Sequence, residues 1–402
     1  MSGSASIKFQ NFIPKRFYLK SSKIKFYSHL KTIQNNLNST KDTFSSFGKK
    51  FSLNIKLKEL NTFKKYNDII IIGMGGSIHG SQATYFFLEK KVKKRVFFLN
   101  NLSQEETNKT KSIKNLKKAM FLIISKSGNT LETLSLTDYF KNSLNSKNTL
   151  IITEKKSNSL YNFAKKKNIK IISHRNYIGG RYSIFSETGL IPIYLMGYNI
   201  IKLKKNILTF LKKDKEILKK NLLNLFKIYS SKKVNSLILL SYCSELDHFL
   251  LWCQQLIAES LGKNKKGIIP IISKGPRDHH SLLQLYLDGP KDKFFYVFSE
   301  RNKNKTKLGK RLFPNILNNS NLDKVVTDQK NAFLQSLKKK DIPFISIELN
   351  KRDEETLGKL FSYFIFETVI MGKNLNLNPF NQPAVEGVKI LTKQNLFKKN
   401  QI

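Results

Sequence analysis

The stretch Ile124-Ser125-Lys126-Ser127-Gly128-Asn129-Thr130-Leu131-Glu132-Thr133 decides how this chain is read. An apolar segment, 119–124, runs into it, and apolar residues then recur at helical spacing through Leu131, Leu134, Tyr139 and Phe140. The periodicity changes from that of a buried strand to that of a helix across one tight polar turn. A helix beginning near Thr130 leaves its first backbone N–H groups without intrahelical partners, and its dipole favours negative charge there. The hydroxyls of Ser125, Ser127 and Thr130 and the ammonium of Lys126 crowd the same turn. A phosphate, with about 1.5 to 2 negative charges and several acceptor oxygens, suits that array. A plainer role is equally open, a capped helix start with Thr130 as N-cap.

Working outward, strands are predicted at 68–72, 95–100, 119–125, 148–153 and 169–172, most of them separated by amphipathic helical stretches. That alternation predicts a parallel sheet flanked by helices, with ligands at the strand C-terminal edge. A helix is expected over 188–198, and a Leu/Ile-striped, lysine-faced helix over 202–229. A second alternating set follows, with strands at 234–241, 268–272, 294–298 and 344–349 and helices at 247–260, 327–339 and 353–371. The expected organisation is an N-terminal helical arm (1–50, with 32–37 helical), a first α/β domain (51–200), a linker helix and second α/β domain (201–371), and a tail (372–402).

With 402 residues, 40% hydrophobic and 11% aromatic, the chain can build two cores. Cys243 and Cys253 match no zinc spacing, no apolar run reaches membrane-spanning length, and the N-terminus lacks a signal-peptide layout. A soluble, cytoplasmic protein is expected. The net charge of +44 raises nucleic-acid binding. Its lysines, however, are scattered in pairs such as Lys64-Lys65, Lys117-Lys118 and Lys212-Lys213, with no recognition motif, so no specific nucleic-acid function is expected. The charge can still steer anionic substrates.

Other stretches carry chemistry. Gly73-Met74-Gly75-Gly76-Ser77-Ile78-His79-Gly80 follows the first strand and opens a helix, so it too could hold phosphate. It is neither a dinucleotide fingerprint, with Ile78 in place of the third glycine, nor a Walker A loop, with Ser81 in place of lysine. Gly179-Gly180-Arg181 offers a guanidinium to developing negative charge, or is an ordinary surface turn. Glu259, near a helix C-terminus, opposes the dipole and could serve as a general base; exposed helical glutamates are commoner. Asp278-His279-His280 offers a titrating imidazole or a capped helix start. Glu386 and Lys389, three apart, form a surface ion pair or supply further site groups.

Taken in order, 73–80, 125–133, Gly180-Arg181-Tyr182-Ser183 with Ser186, 259–263, His280 with Gln284, and 382–389 together resemble the phosphoglucose isomerase (glucose-6-phosphate isomerase) family, in its compact bacterial form. The resemblance implies two sugar-isomerase (SIS) domains, each a doubly wound parallel sheet between helices. It implies isomerisation of glucose 6-phosphate and fructose 6-phosphate through ring opening and a cis-enediol(ate), without metal or organic cofactor. By position, Ser77, Ser125, Lys126, Ser127 and Thr130 would hold the phosphate, and Glu132, Gly180 and Gln382 would contact the sugar. His280, assisted by Lys389, would open the ring; Glu259 would move the proton between C2 and C1; Arg181 would stabilise the intermediate. The family's ring-opening histidine comes from a neighbouring subunit, which implies a homodimer with composite sites. Two positions depart from the family pattern, His279 before His280 and Asn381 before Gln382. Alternatives are a related SIS isomerase that also accepts mannose 6-phosphate and a non-catalytic sugar-phosphate sensor. The latter would need none of Glu259, His280 and Lys389.

Overall fold

The structure, a computed structural model, describes residues 6–18, 24–88, 91–301 and 321–398. Parts of the expected arm (1–5, 19–23), of both α/β domains (89–90, 302–320) and of the tail (399–402) lie outside the described residues. The first half runs β1 (Ile7–Phe12), α1 (Phe26–Asn36), β2 (Asp68–Gly73), α2 (His79–Leu88), β3 (Arg95–Leu99), β4 (Met120–Ile124), α3 (Leu131–Tyr139), β5 (Thr149–Thr153), α4 (Ser159–Lys166), β6 (Lys170–Ser173) and α5 (Glu187–Met196). The second runs α6 (Lys215–Ser231), β7 (Ser236–Ser241), α7 (Asp247–Leu261), β8 (Ile269–Lys274), β9 (Lys293–Glu300), α8 (Leu322–Lys339), β10 (Phe344–Leu349), α9 (Glu354–Asn374) and α10 (Val385–Lys398), with shorter helical turns between.

The strands form two five-stranded sheets, β3-β2-β4-β5-β6 and β1-β10-β9-β7-β8. Both are parallel apart from the antiparallel edge strand β1. The apolar runs of their inner strands are buried on both faces, as in parallel sheets generally. Successive residues alternate between cores: Ile69 and Ile71 join one cluster, while Ile70 and Ile72 join another under α3 and α4. In the second sheet Leu237 and Leu239 join the first cluster, and Ile238 and Leu240 turn to Phe333, Leu334 and Leu337 of α8. That first cluster is continuous between the two sheets, where α7 packs on α2 and α9.

Residues 7–12 depart from the expected helical arm. Ile7 is buried while Lys8 is exposed, and the strand pairs with β10 from Ile7↔Leu349 to Phe12↔Phe344. The helix expected at 202–229 is broken as well. Ile200–Lys204 is a short helix, Asn206 takes φ 60, and α6 restarts at Lys215. Asparagine tolerates that left-handed conformation, which ends the first helix while leaving the apolar stripe uninterrupted.

One buried acid ties several elements together. Glu367 of α9 accepts hydrogen bonds from Tyr296 of β9 at 2.8 Å and from Tyr363 at 2.6 Å. Asn221 of α6 donates in turn to the Tyr363 hydroxyl at 2.8 Å. Burial raises the Glu367 pKa from 4.5 to about 7, against the two tyrosine hydrogen bonds. The folded chain therefore holds this proton where the unfolded chain has lost it. Its contribution to stability is full at low pH and is lost as pH rises from about 4.5 to about 7, by ~3 kcal/mol at most. Glu367→Gln is expected to flatten that slope in urea unfolding followed from pH 5 to pH 8; a variant with the wild-type slope would exclude Glu367 as its source.

Candidate active site

In the first sheet the chain leaves β2 for β3 on one side and returns across β2 to β4 on the other. The loops after β2 and β4 therefore meet at the topological switch point, where open α/β sheets bind ligands. Gly73 pairs with Ile124, which sets the 73–80 turn directly beside 125–130. In the second loop Ser125 Oγ lies 3.0 Å from Thr130 Oγ1, and Ser127 Oγ lies 3.5 Å from the same hydroxyl. Gly128 donates its N–H to Ser125 Oγ at 3.2 Å. Gly128 takes φ +66, and a Cβ there would stand 1.7 Å from Asn158 Oδ1, so only glycine fits. Thr130 sits at the N-cap position of α3, but its side chain makes no cap hydrogen bond. The plain capping role is thus set aside, and three hydroxyls gather over an open helix start. Glu132 is exposed on the first turn of α3, and Ser77 ends the 3-10 turn of the facing loop.

Lys126 behaves differently from its neighbours. Its ammonium donates to the carbonyls of Asn176 at 2.6 Å and Ile178 at 3.1 Å. It ties the cradle to the segment that leads into Gly179-Gly180-Arg181. Burial lowers its pKa, with Glu154 opposing.

The glycine loop meets that segment face to face. A Cβ on Gly76 would lie 2.1 Å from the carbonyl carbon of Gly180. This contact brings Arg181 to the edge of the cradle. Arg181 is 2% exposed, and all five of its N–H donors are engaged. Nε donates to Ser260 Oγ at 2.8 Å; one terminal nitrogen reaches Glu259 Oε2 at 3.0 Å and Gln382 Oε1 at 2.7 Å; the other reaches the carbonyls of Pro379 at 2.7 Å and Asn381 at 3.1 Å. Glu259, half-buried near the end of α7, also accepts from Gln255 Nε2 at 3.0 Å. Residues 181, 259 and 382, far apart in sequence, thus form one hydrogen-bonded cluster next to the hydroxyl cradle.

Sequence reading gave no role to several members of this cluster. Gln255 could have been found as the residue one turn before Glu259 on the same helix face. Tyr182 donates to the Pro379 carbonyl at 2.8 Å and Lys263 to Asn381 O at 2.6 Å, and neither contact has a sequence signal. His79, at the start of α2, lies near Glu259 with a buried Nδ1 that has no partner. Burial lowers its pKa, opposed by Gln82 and by the Glu259 charge.

Two expected site residues stand elsewhere in the same chain. His280 is exposed at the end of the 3-10 turn Arg277–His280 that follows β8. Lys274 binds Asp247 at 2.6 Å, which fixes this turn beside the first residue of α7. Glu259 lies twelve residues further along that helix, ~18 Å away at 1.5 Å per residue. His279 turns inward, its Nε2 2.6 Å from the Tyr242 hydroxyl. Lys389 rides on α10 and pairs with Glu386 at 2.7 Å, both exposed.

A separate crevice of about 500 Å³ opens beyond β7, β9 and β10 of the second sheet. Much of its positive charge is already paired: Arg352 with Glu245 and Glu300, Lys330 with Glu348, and Lys91 with Glu354. An anion there would compete with those carboxylates. Among the described residues no group of three His, Cys, Asp or Glu side chains gathers as a metal site would require.

Comparisons with known proteins identify the family. The family model for phosphoglucose isomerase matches residues 21–284. The glucose-6-phosphate isomerase of Methanocaldococcus jannaschii is 34% identical, over 83% of this chain and 84% of its own length. That of Campylobacter jejuni is 33% identical, over 83% and 86% respectively. Among solved structures, a glucose-6-phosphate isomerase from Chlamydia trachomatis shares the fold at TM-score 0.72 and 19% identity, over 86% of this chain and 72% of that one. With its two helix-flanked parallel sheets, its paired cradle loops and this extent of similarity, the chain belongs to the phosphoglucose isomerase family.

Proposed function

We propose that the chain interconverts glucose 6-phosphate and fructose 6-phosphate, in glycolysis and gluconeogenesis. The observation that carries this reading is the Arg181–Glu259 pair, 3.0 Å apart, at the edge of a cradle of three hydroxyls. Names of relatives at 33–34% identity support the same substrates. Ser77, Ser125, Ser127 and Thr130 take the phosphate oxygens, with the free N–H groups of the α3 start. Lys126 belongs to the same phosphate-holding set and ties its turn to the carbonyls of Asn176 and Ile178, and Glu132, Gly180 and Gln382 meet the sugar. Holding the unreacting phosphate positions the sugar at C1 and C2.

In the reaction, His280, assisted by Lys389, moves a proton between the ring oxygen and the C1 hydroxyl (C2 in the ketose) and opens the ring. Glu259 removes the proton from C2; the C2–H electrons form the C1–C2 double bond of a cis-enediol(ate), and the carbonyl oxygen takes up the charge. Glu259 then returns the proton to C1 as the C2 hydroxyl gives its proton up to the C1 oxygen, which leaves the carbonyl at C2. Arg181 faces that oxygen with a buried guanidinium whose charge is fixed before the reaction begins. Gln382, exposed, is the Arg181 partner that a substrate oxygen most readily displaces.

We further propose a homodimer. His280 sits at the far end of α7 from Glu259 of its own chain, so a second subunit must supply it. The exposed apolar residues Val388, Ile390, Leu391 and Leu396 of α10 support burial against another chain. Among the described residues no helix is long and apolar enough to cross a membrane; a glycolytic role supports a cytoplasmic location.

Purified protein given glucose 6-phosphate should form fructose 6-phosphate in a coupled assay, and no interconversion would sink the reading. Mannose 6-phosphate in a parallel assay shows whether the specificity is broader. Ser127→Ala should weaken fructose 6-phosphate binding ~10- to 100-fold, the loss of one hydrogen bond to a charged group. Free fructose should be unaffected; an equal loss for both sugars would contradict the phosphate role.

A further inference from the structure

Residues 378–382 run past Arg181, with Pro379 buried and the Phe380 ring packed against Phe44 and Tyr182. Beyond that packing, their backbone carbonyls are held by a pair of cations from two other elements. Arg181 donates to the carbonyls of Pro379 at 2.7 Å and Asn381 at 3.1 Å, and to Gln382 Oε1 at 2.7 Å. Lys263, two residues beyond the end of α7, donates to the Asn378 carbonyl, to Asn381 O at 2.6 Å and to Asn381 Oδ1 at 3.0 Å. One carbonyl, that of Asn381, therefore accepts from both cations. Three residues after Gln382 the chain enters α10, the helix that carries Lys389.

We propose that Lys263 is a positioning residue: with Arg181 it clamps residues 378–382, and so sets Gln382 against Arg181 and fixes the direction in which α10 leaves the site. The inference rests on the reading of Arg181 and Glu259 as site residues, and it adds a role for a cation that touches neither reacting carbon. Charge-assisted hydrogen bonds are about twice as strong as neutral ones, so the clamp holds while the amine is protonated and loosens when it is not.

The charged groups facing Lys263 are Arg181, on the 3-10 turn Gly180–Phe185, and Glu259, on α7. The tail contributes only amide oxygens. Burial and Arg181 lower the Lys263 pKa to about 8, with Glu259 opposing. The clamp is accordingly complete below pH 8 and weakens as pH rises through it.

The test is the pH profile of kcat/KM in the full-length enzyme. Wild type should lose activity on an alkaline limb near pH 8. Lys263→Arg stays protonated and can donate to the same carbonyls, so it should keep most of the activity and lose the limb. Asn381→Asp places a carboxylate against the ammonium and should move the limb to higher pH by about one unit. Lys263→Met should lower kcat ~10- to 100-fold, the cost of a misplaced site group. Should that variant fail to fold, the arginine and aspartate variants still decide. An alkaline limb that is the same in wild type, Lys263→Arg and Asn381→Asp overturns the clamp, as does wild-type kcat in Lys263→Met. A Glu259→Gln enzyme of near-normal turnover would instead overturn the underlying site, so the two failures are separable.

Discussion

Glu259→Gln is expected to lower turnover ~10²–10⁴-fold, the usual contribution of a positioned general base, while fructose 6-phosphate binds nearly as well as before. On the barrier scale this is about 3 to 5 kcal/mol. The size follows from the chemistry. A C–H beside a carbonyl is a weak acid, and an amide cannot take its proton. The fold should tolerate the change, because the new amide oxygen can still accept from Arg181 as Glu259 Oε2 does now at 3.0 Å. The new amide nitrogen would face Gln255 Nε2, which now donates to Glu259 Oε1 at 3.0 Å. Gln255 Oε1 is buried without a partner, so a half-turn of that amide restores the hydrogen bond with the roles reversed. The variant thus removes a proton acceptor with little loss of packing. Turnover from a coupled assay and affinity from calorimetry separate the two effects. Turnover within a few-fold of wild type would remove Glu259 as the base, and a parallel loss of binding would mean that the carboxylate holds substrate instead.

The cradle was legible because its signals are local. A buried strand, a hydroxyl-rich turn and a helical stripe follow one another between residues 119 and 140, and their order alone predicts free N–H groups at that point. The second strand set was legible for the same reason. The cluster around Arg181 was not, since nothing local distinguishes Arg181 or Glu259 from an ordinary surface arginine or helical glutamate. Only the family resemblance put them together, and the fold then joined them to Gln382 by direct hydrogen bonds. Side-chain direction was not legible either. Lys126 stands among the hydroxyls in sequence, yet its ammonium finds two backbone carbonyls some fifty residues away. β1 was hidden because a six-residue edge strand carries little pattern of its own, and its partner β10 begins more than three hundred residues later. The break at Asn206 was hidden because the Leu/Ile stripe continues on both sides of it, so periodicity could not register the change of direction.

Mixing two inactive variants should restore activity. His280→Ala and Glu259→Gln, unfolded together and refolded as a mixture, are expected to recover about a quarter of wild-type turnover. Twofold symmetry makes the arithmetic simple: half of the random pairs are mixed dimers, and each has one site with an intact Glu259 and an intact His280 from the other chain. Its second site carries both lesions. The expectation comes from the geometry of α7. Lys274 holds the His280 turn against Asp247 at the start of that helix, and Glu259 follows ~18 Å along it, with the buried Phe249, Trp252, Leu256 and Ile257 between. No rotamer of His280 spans that distance, and moving its turn would break the Tyr242–His279 contact and the three hydrogen bonds that Asp278 accepts from Ser273, Lys274 and Arg277. If each chain used its own His280, every subunit in the mixture would carry a lesion in its only site and activity would stay at the level of the separate variants. Light scattering on the mixture provides the control, because recovery without dimers would contradict the shared site as firmly as dimers without recovery.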